Sequence, residues 1–130
     1  MKLPLRLAAL CCLAFACVSA ANAQPTIRVA AYRGAAGCDD CSETAKEAIE
    51  ALSPQYKVDI IGPKEAQDVT PATLRGYAIY VQPGGGQDIP AALRAMGERR
   101  IAAIRDFVAQ GGGIWACAWA PILPMTPTWA

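Results

Sequence analysis

Short β-rich apolar runs alternate along this chain with stretches of helical spacing, and that alternation limits the folds open to it. The runs are TIRVAAYRG (26–34), YKVDIIG (56–62), YAIYVQ (77–82) and IWACAW (114–119). After the first comes SETAKEAIEALS, in which Ala45, Ala48, Ile49 and Leu52 recur at helical intervals. Ser42 is its candidate N-cap, and Pro54 stops it. After the second, TPATLRGY offers one helical turn, with Thr70 as N-cap and Pro71 at the first helical position. After the third, residues 90–110 read as helical, with Ile101, Ile104, Phe107 and Val108 on one face and Gly111–Gly113 ending the run. Strand and helix in alternation predict a parallel sheet with helices on both faces, a three-layer, flavodoxin-like α/β domain. About four strands are few for such a sheet, and the chain stops directly after the last, so the expected sheet is incomplete.

The first 23 residues stand apart from this pattern. Lys2 and Arg6 give a basic start, Leu7–Val18 is an apolar run, and Ala21-Asn22-Ala23 is a small-x-small cleavage site. This is the layout of an export signal cleaved after Ala23. The apolar run is too short for a comfortable membrane span. A periplasmic or secreted protein is expected, touching the membrane only through its signal. The remainder is one small domain. The charge of the whole chain is nearly balanced, with 12 Lys and Arg against 11 Asp and Glu, which argues against a nucleic-acid partner or an anionic membrane surface.

In an open parallel sheet, sites form in the loops beyond the carboxyl ends of the strands. The loop GAAGCDDC carries Cys38 and Cys41 just before a helix. A thiol at a helix N-terminus suits redox exchange, although Asp39 and Asp40 oppose a thiolate there. The other reading is a local structural disulfide, as exported proteins use. Zinc needs about four ligands, and the chain has no His, so no metal and no cofactor is expected. The second loop, Pro83 followed by Gly84, Gly85 and Gly86, can adopt positive φ and turn its amides toward an anion as an oxyanion hole, or it is a plain tight turn. The third candidate is Cys117, at the end of the last run. A nucleophile elbow carries small residues two before and two after its nucleophile. Here those are Trp115 and Trp119, and no His is available as base, so Cys117 as written reads as a structural thiol.

The stretch YVQPGGGQDIPAAL…MGERRIAAIRDFVAQGGG resembles the N-terminal domain of eukaryotic-type biotin–protein ligases and its stand-alone bacterial relatives, a family related to class I glutamine amidotransferases. Pro83, Gly84, Gly85, Asp88, Ile89, Arg99, Arg100, Ile101, Phe107, Val108, Gly111 and Gly112 fit the family pattern, and the resemblance covers residues 26–113. It implies an amidotransferase-like domain over residues 24–113, with a cysteine nucleophile at an elbow, the P-G-G amides facing it, and a small amide or peptide-like ligand. Biotin ligation resides in another domain of those proteins and is not implied.

The family continues Y-L-G-x-C-x-G-x-Y, whereas this chain continues IWACAWAP. The genetic code connects the two. Read from the last base of the Gly113 codon, the codons of Ile114 to Ile122 allow Tyr-Leu-Gly-Met-Cys-Leu-Gly-Ala-Tyr, and both glycines are forced because Trp-Ala can only be TGGGCN. Residues 114–130 therefore read as a frameshifted, uncharged tail. On that reading this chain is a truncated, catalytically inactive relative, and the family cysteine lies in the other frame. Two further readings stand beside it: a cysteine amidase whose base comes from outside the chain, and a small exported thiol-disulfide or binding protein using Cys38 and Cys41.

Overall fold

The computed structural model describes residues 24–117. The expected export signal, and the part of the expected 114–130 tail from residue 118 onward, with Trp119, lie outside them.

The described residues form a four-stranded, all-parallel sheet in the order β2-β1-β3-β4. The elements run β1 (Ile27–Tyr32), α1 (Cys41–Leu52), β2 (Tyr56–Ile61), α2 (Pro71–Leu74), β3 (Ile79–Gln82), α3 (Ile89–Met96), α4 (Glu98–Ala109) and β4 (Gly113–Ala116). This is the expected three-layer arrangement. Strand β1 lies inside the sheet, with β2 on one flank (Val29 opposite Val58) and β3 on the other (Val29 opposite Ile79). Its last four residues are all buried, which is why the sequence there is a continuous apolar run rather than an alternating one.

Alternate residues of the strands feed two cores. Ala30, Tyr32, Ile61 and Tyr80 pack with Leu74, Met96, Ile101 and Ile104 from α2, α3 and α4. Val29, Ala31, Val58 and Val81 face the other way and pack with Ile49 and Ala45 of α1. The first face is therefore covered by three helices and the second, among the described residues, by α1 alone.

Several local expectations are met. Thr70 caps α2 through its side chain, which accepts a hydrogen bond from the Thr73 amide, with Pro71 beginning the helix. The glycines after α4 close it as a Schellman turn: Gly111 has φ +94°, its amide reaches Val108 O, and the Gly112 amide reaches Phe107 O at 3.0 Å.

Others are corrected. Residues 90–110 are not one helix, because Gly97 adopts φ +77° and splits them into α3 and α4. Ser42 does not cap α1, which begins at Cys41 with Asp40 at the cap, two residues earlier than expected. Its hydroxyl is buried and donates instead to the Tyr32 carbonyl at 2.8 Å, pinning the helix to the end of β1. The Gly84–Gly86 stretch does not use positive φ, which is confined to Gly97 and Gly111 among the described residues.

Candidate functional site

Strand order reverses at β1, so the loops leaving β1 and β3 diverge at the carboxyl edge, where open α/β sheets place their ligands. Here the two loops are joined. The Cys38 amide donates to Gly84 O at 2.7 Å, and the Gln82 side-chain amide donates to Ala36 O at 3.2 Å. Gly85 permits this approach: a Cβ there would stand 2.9 Å from the Ala36 carbonyl oxygen, a contact real side chains do not make. Its value lies in lacking a side chain rather than in an unusual φ. Gly86 has open space around it and carries no such constraint.

Beside the joined loops, between α1 and the ends of β3 and β4, is a cavity of about 270 Å³. Val81, Pro83 and Gly84 form its β3 side, Cys41, Ala45 and Ile49 its α1 side, and Trp115 and Cys117 its β4 side. It exists because α1 stands over β1 and β2 while β4 extends the same face past it. Trp115 lies beside Val81 in register on that face and is 49 % exposed.

Three of the expected site residues thus meet at one cavity: Cys41, Gly84 and Cys117. Cys117 is held by its amide, which donates to Gln82 O at 3.1 Å. Gly85 and Gly86 lie off the wall, and Gly84 offers its carbonyl, rather than its amide, to Cys38. Cys38 and Cys41 form a disulfide with Cα atoms 5.4 Å apart; Cys38 is exposed, while Cys41 is half-buried. Cys117 is a free thiol.

Among the described residues, the cavity wall carries no ionisable acid or base besides the Cys117 thiol. The Thr44 hydroxyl, on the same wall, donates to Asp40 O. Among the described residues the site is therefore an apolar recess with a thiol, of a kind that suits an apolar group.

Behind the loops lies a polar network that the sequence reading did not single out. Gln82 is 2 % exposed and accepts a hydrogen bond from Tyr80 Oη at 2.6 Å while its amide group holds Ala36. A glutamine closing an otherwise apolar strand was the available signal. The Tyr32 hydroxyl, also buried, has no hydrogen-bond partner among the described residues. Burial raises the pKa of both tyrosine hydroxyls, that of Tyr80 well above the usual tyrosine range. For Tyr32 the neighbouring Ala36 backbone offsets part of this without reaching hydrogen-bond geometry. Farther out, Arg100 grips Asp68 with two bonds of 2.7 Å, and its guanidinium holds the Asp68 carboxyl below the usual carboxylate range.

No protein-family model, curated protein or solved structure matches this chain.

Proposed function

We propose that this chain is an exported α/β domain of the amidotransferase-like type, resembling the N-terminal domain of biotin–protein ligases, and that in this form it binds a small amide or peptide-like ligand without turning it over. The observation that carries this is the cavity where the β3 loop, Cys117 and α1 meet. It stands at the carboxyl edge of the sheet, where this architecture places its sites. Its wall carries a thiol, Cys117, and Gly84, although the cysteine that the resemblance implies lies in the other frame, and among the described residues it carries no base to activate that thiol.

The test is ammonia release from glutamine and from short apolar amides by the full chain and by Cys117→Ser. Equal, background rates are expected for both. Release above background that disappears in Cys117→Ser would establish the cysteine-amidase reading in its place. Binding is measured separately by calorimetry with the same amides, and the absence of any heat would remove the ligand assignment. Sequencing the gene through the Gly111–Gly113 codons tests the frameshift. An alternative frame that stays open and encodes Y-L-G-x-C-x-G supports it, and one closed by an early stop removes it.

A further inference from the structure

The cavity brings together cysteines that are distant in sequence. Both cysteine-bearing segments hang from the same short piece of β3 and its exit. The Cys38 amide is bound to Gly84 O at 2.7 Å, and the Cys117 amide to Gln82 O at 3.1 Å. Of the two disulfide sulfurs, only that of Cys41 belongs to a residue on the cavity wall; Cys38 is exposed. The free thiol of Cys117 belongs to the same wall.

We propose that Cys117 is an exchange partner of the Cys38–Cys41 disulfide, and that the bridge it forms with Cys41 closes the cavity. The Cys117 thiolate attacks Sγ of Cys41. The Cys41–Cys117 bond forms as the Cys38–Cys41 bond breaks, and the electron pair leaves on the Cys38 sulfur, which takes a proton from water. One disulfide is exchanged for another, so no oxidant or reductant is consumed. The direction of attack follows from placement: the sulfur attacked belongs to the cavity wall, and the leaving sulfur belongs to the exposed residue.

Bridging two cysteines requires Cα atoms roughly 4.4–6.8 Å apart. Cys41 lines a space of about 270 Å³ from α1 and Cys117 lines it from β4, so a bridge between them draws the end of β4 toward α1 and narrows that space. Among the described residues, strand β4 is hydrogen-bonded on its β3 side alone, so bending its end breaks no second ladder there. The disulfide pairing would then set whether the apolar recess is open or shut. This reasoning uses neither the amidotransferase resemblance nor any catalytic role for Cys117.

The experiment is non-reducing tryptic mapping of the full chain after an acid quench and maleimide capping. Cys38 and Cys41 fall in the peptide Gly34–Lys46, and Cys117 in Asp106–Ala130. Two isomers are expected: the internal disulfide with capped Cys117, and the two peptides cross-linked with capped Cys38. Finding the first isomer alone after prolonged incubation at pH 8.5 would overturn the proposal. Paired variants give a second readout. Oxidised by glutathione disulfide, Cys38→Ser should form Cys41–Cys117 roughly tenfold faster than Cys41→Ser forms Cys38–Cys117, because only the first pair shares the cavity. In 8 M urea the two rates should converge. Equal rates in the native protein would refute the exchange. A Cys41–Cys117 bridge that leaves binding of anilinonaphthalene sulfonate unchanged would refute the closure.

Discussion

The two buried tyrosines at the core of the sheet should respond oppositely to the same substitution. Tyr32 and Tyr80 are both fully buried. Tyr80 Oη donates to Gln82 Oε1 at 2.6 Å, while the Tyr32 hydroxyl has no partner among the described residues. A buried, unpartnered hydroxyl costs about 1–3 kcal/mol of desolvation, which Tyr32→Phe removes. The void left by one oxygen against Gly34 and Pro63 takes back a few tenths of that, at about 24 cal/mol per Å³. Net stabilisation of roughly 1 kcal/mol or more follows, or about 4–8 °C in Tm for a domain of this size. Tyr80→Phe instead deletes a hydrogen bond and strands the buried Gln82 oxygen, for a loss of about 1–3 kcal/mol. The assay is urea denaturation of both variants beside the parent with the disulfide intact. The m-values should be equal and the midpoints should move in opposite directions. If Tyr32→Phe destabilises as much as Tyr80→Phe, its hydroxyl is satisfied in solution, with the adjacent Ala36 backbone as the candidate partner, and the reasoning fails.

The same two residues set an alkaline limit. Their folded pKa values lie above the unfolded value of about 10, so the contribution is complete below that pH and is lost as pH rises toward the folded values. In a Tyr56→Phe, Tyr77→Phe background, phenolate absorbance should therefore appear together with unfolding, at up to about 1.4 kcal/mol per pH unit per tyrosine, and absorbance that rises while circular dichroism stays native would refute this. At the acid end, Arg100 depresses the Asp68 carboxyl, so its contribution is present above about pH 4 and fades as pH falls. Arg100→Ala should flatten that acid limb while lowering neutral stability by roughly 1 kcal/mol or less, as the pair is partly exposed; an unchanged limb in acid titration counts against it. Gly85→Ala should cost about 1–3 kcal/mol by forcing the β1 and β3 loops apart, whereas Gly86→Ala should stay within about 0.5 kcal/mol. Equal midpoints for the two variants in thermal melts would show that the loops do not meet as described.

What could be read from the sequence, and what could not, divides by the range of the interaction that decides it. The buried strand at Val29–Tyr32 and the cap at Thr70 are written in consecutive residues, and both are found where expected. The Schellman glycines are equally local, because the turn bonds link residues only a few positions apart. Ser42 failed as a cap because its hydroxyl has a better partner at Tyr32, ten residues earlier, which becomes available only once β1 and α1 have packed. The Gly84–Gly86 stretch was read for its backbone freedom, yet Gly85 is required by the oxygen of Ala36 on another loop. The break at Gly97 had a visible signal, but an isolated glycine inside a helical pattern does not say whether the helix passes through it or stops.

The candidate site is the sharper case, since none of its residues makes a site alone. Cys41, Gly84 and Cys117 lie on three different elements and meet only through the strand order β2-β1-β3-β4, which sets the exit of β3 between the β1 loop and the end of β4. That order also explains the chemistry of the recess. Three helices cover the Tyr32 and Tyr80 face and bring Arg100 and Asp68 to its margin, so polar groups gather there. The opposite face has α1 alone among the described residues, and α1 presents Ala45, Ala48 and Ile49 toward Val81 and Trp115. A cavity on that side is bound to be apolar, with sulfur as its only reactive element. The distribution of helices between the two faces, more than the identity of any one residue, is what makes this recess apolar.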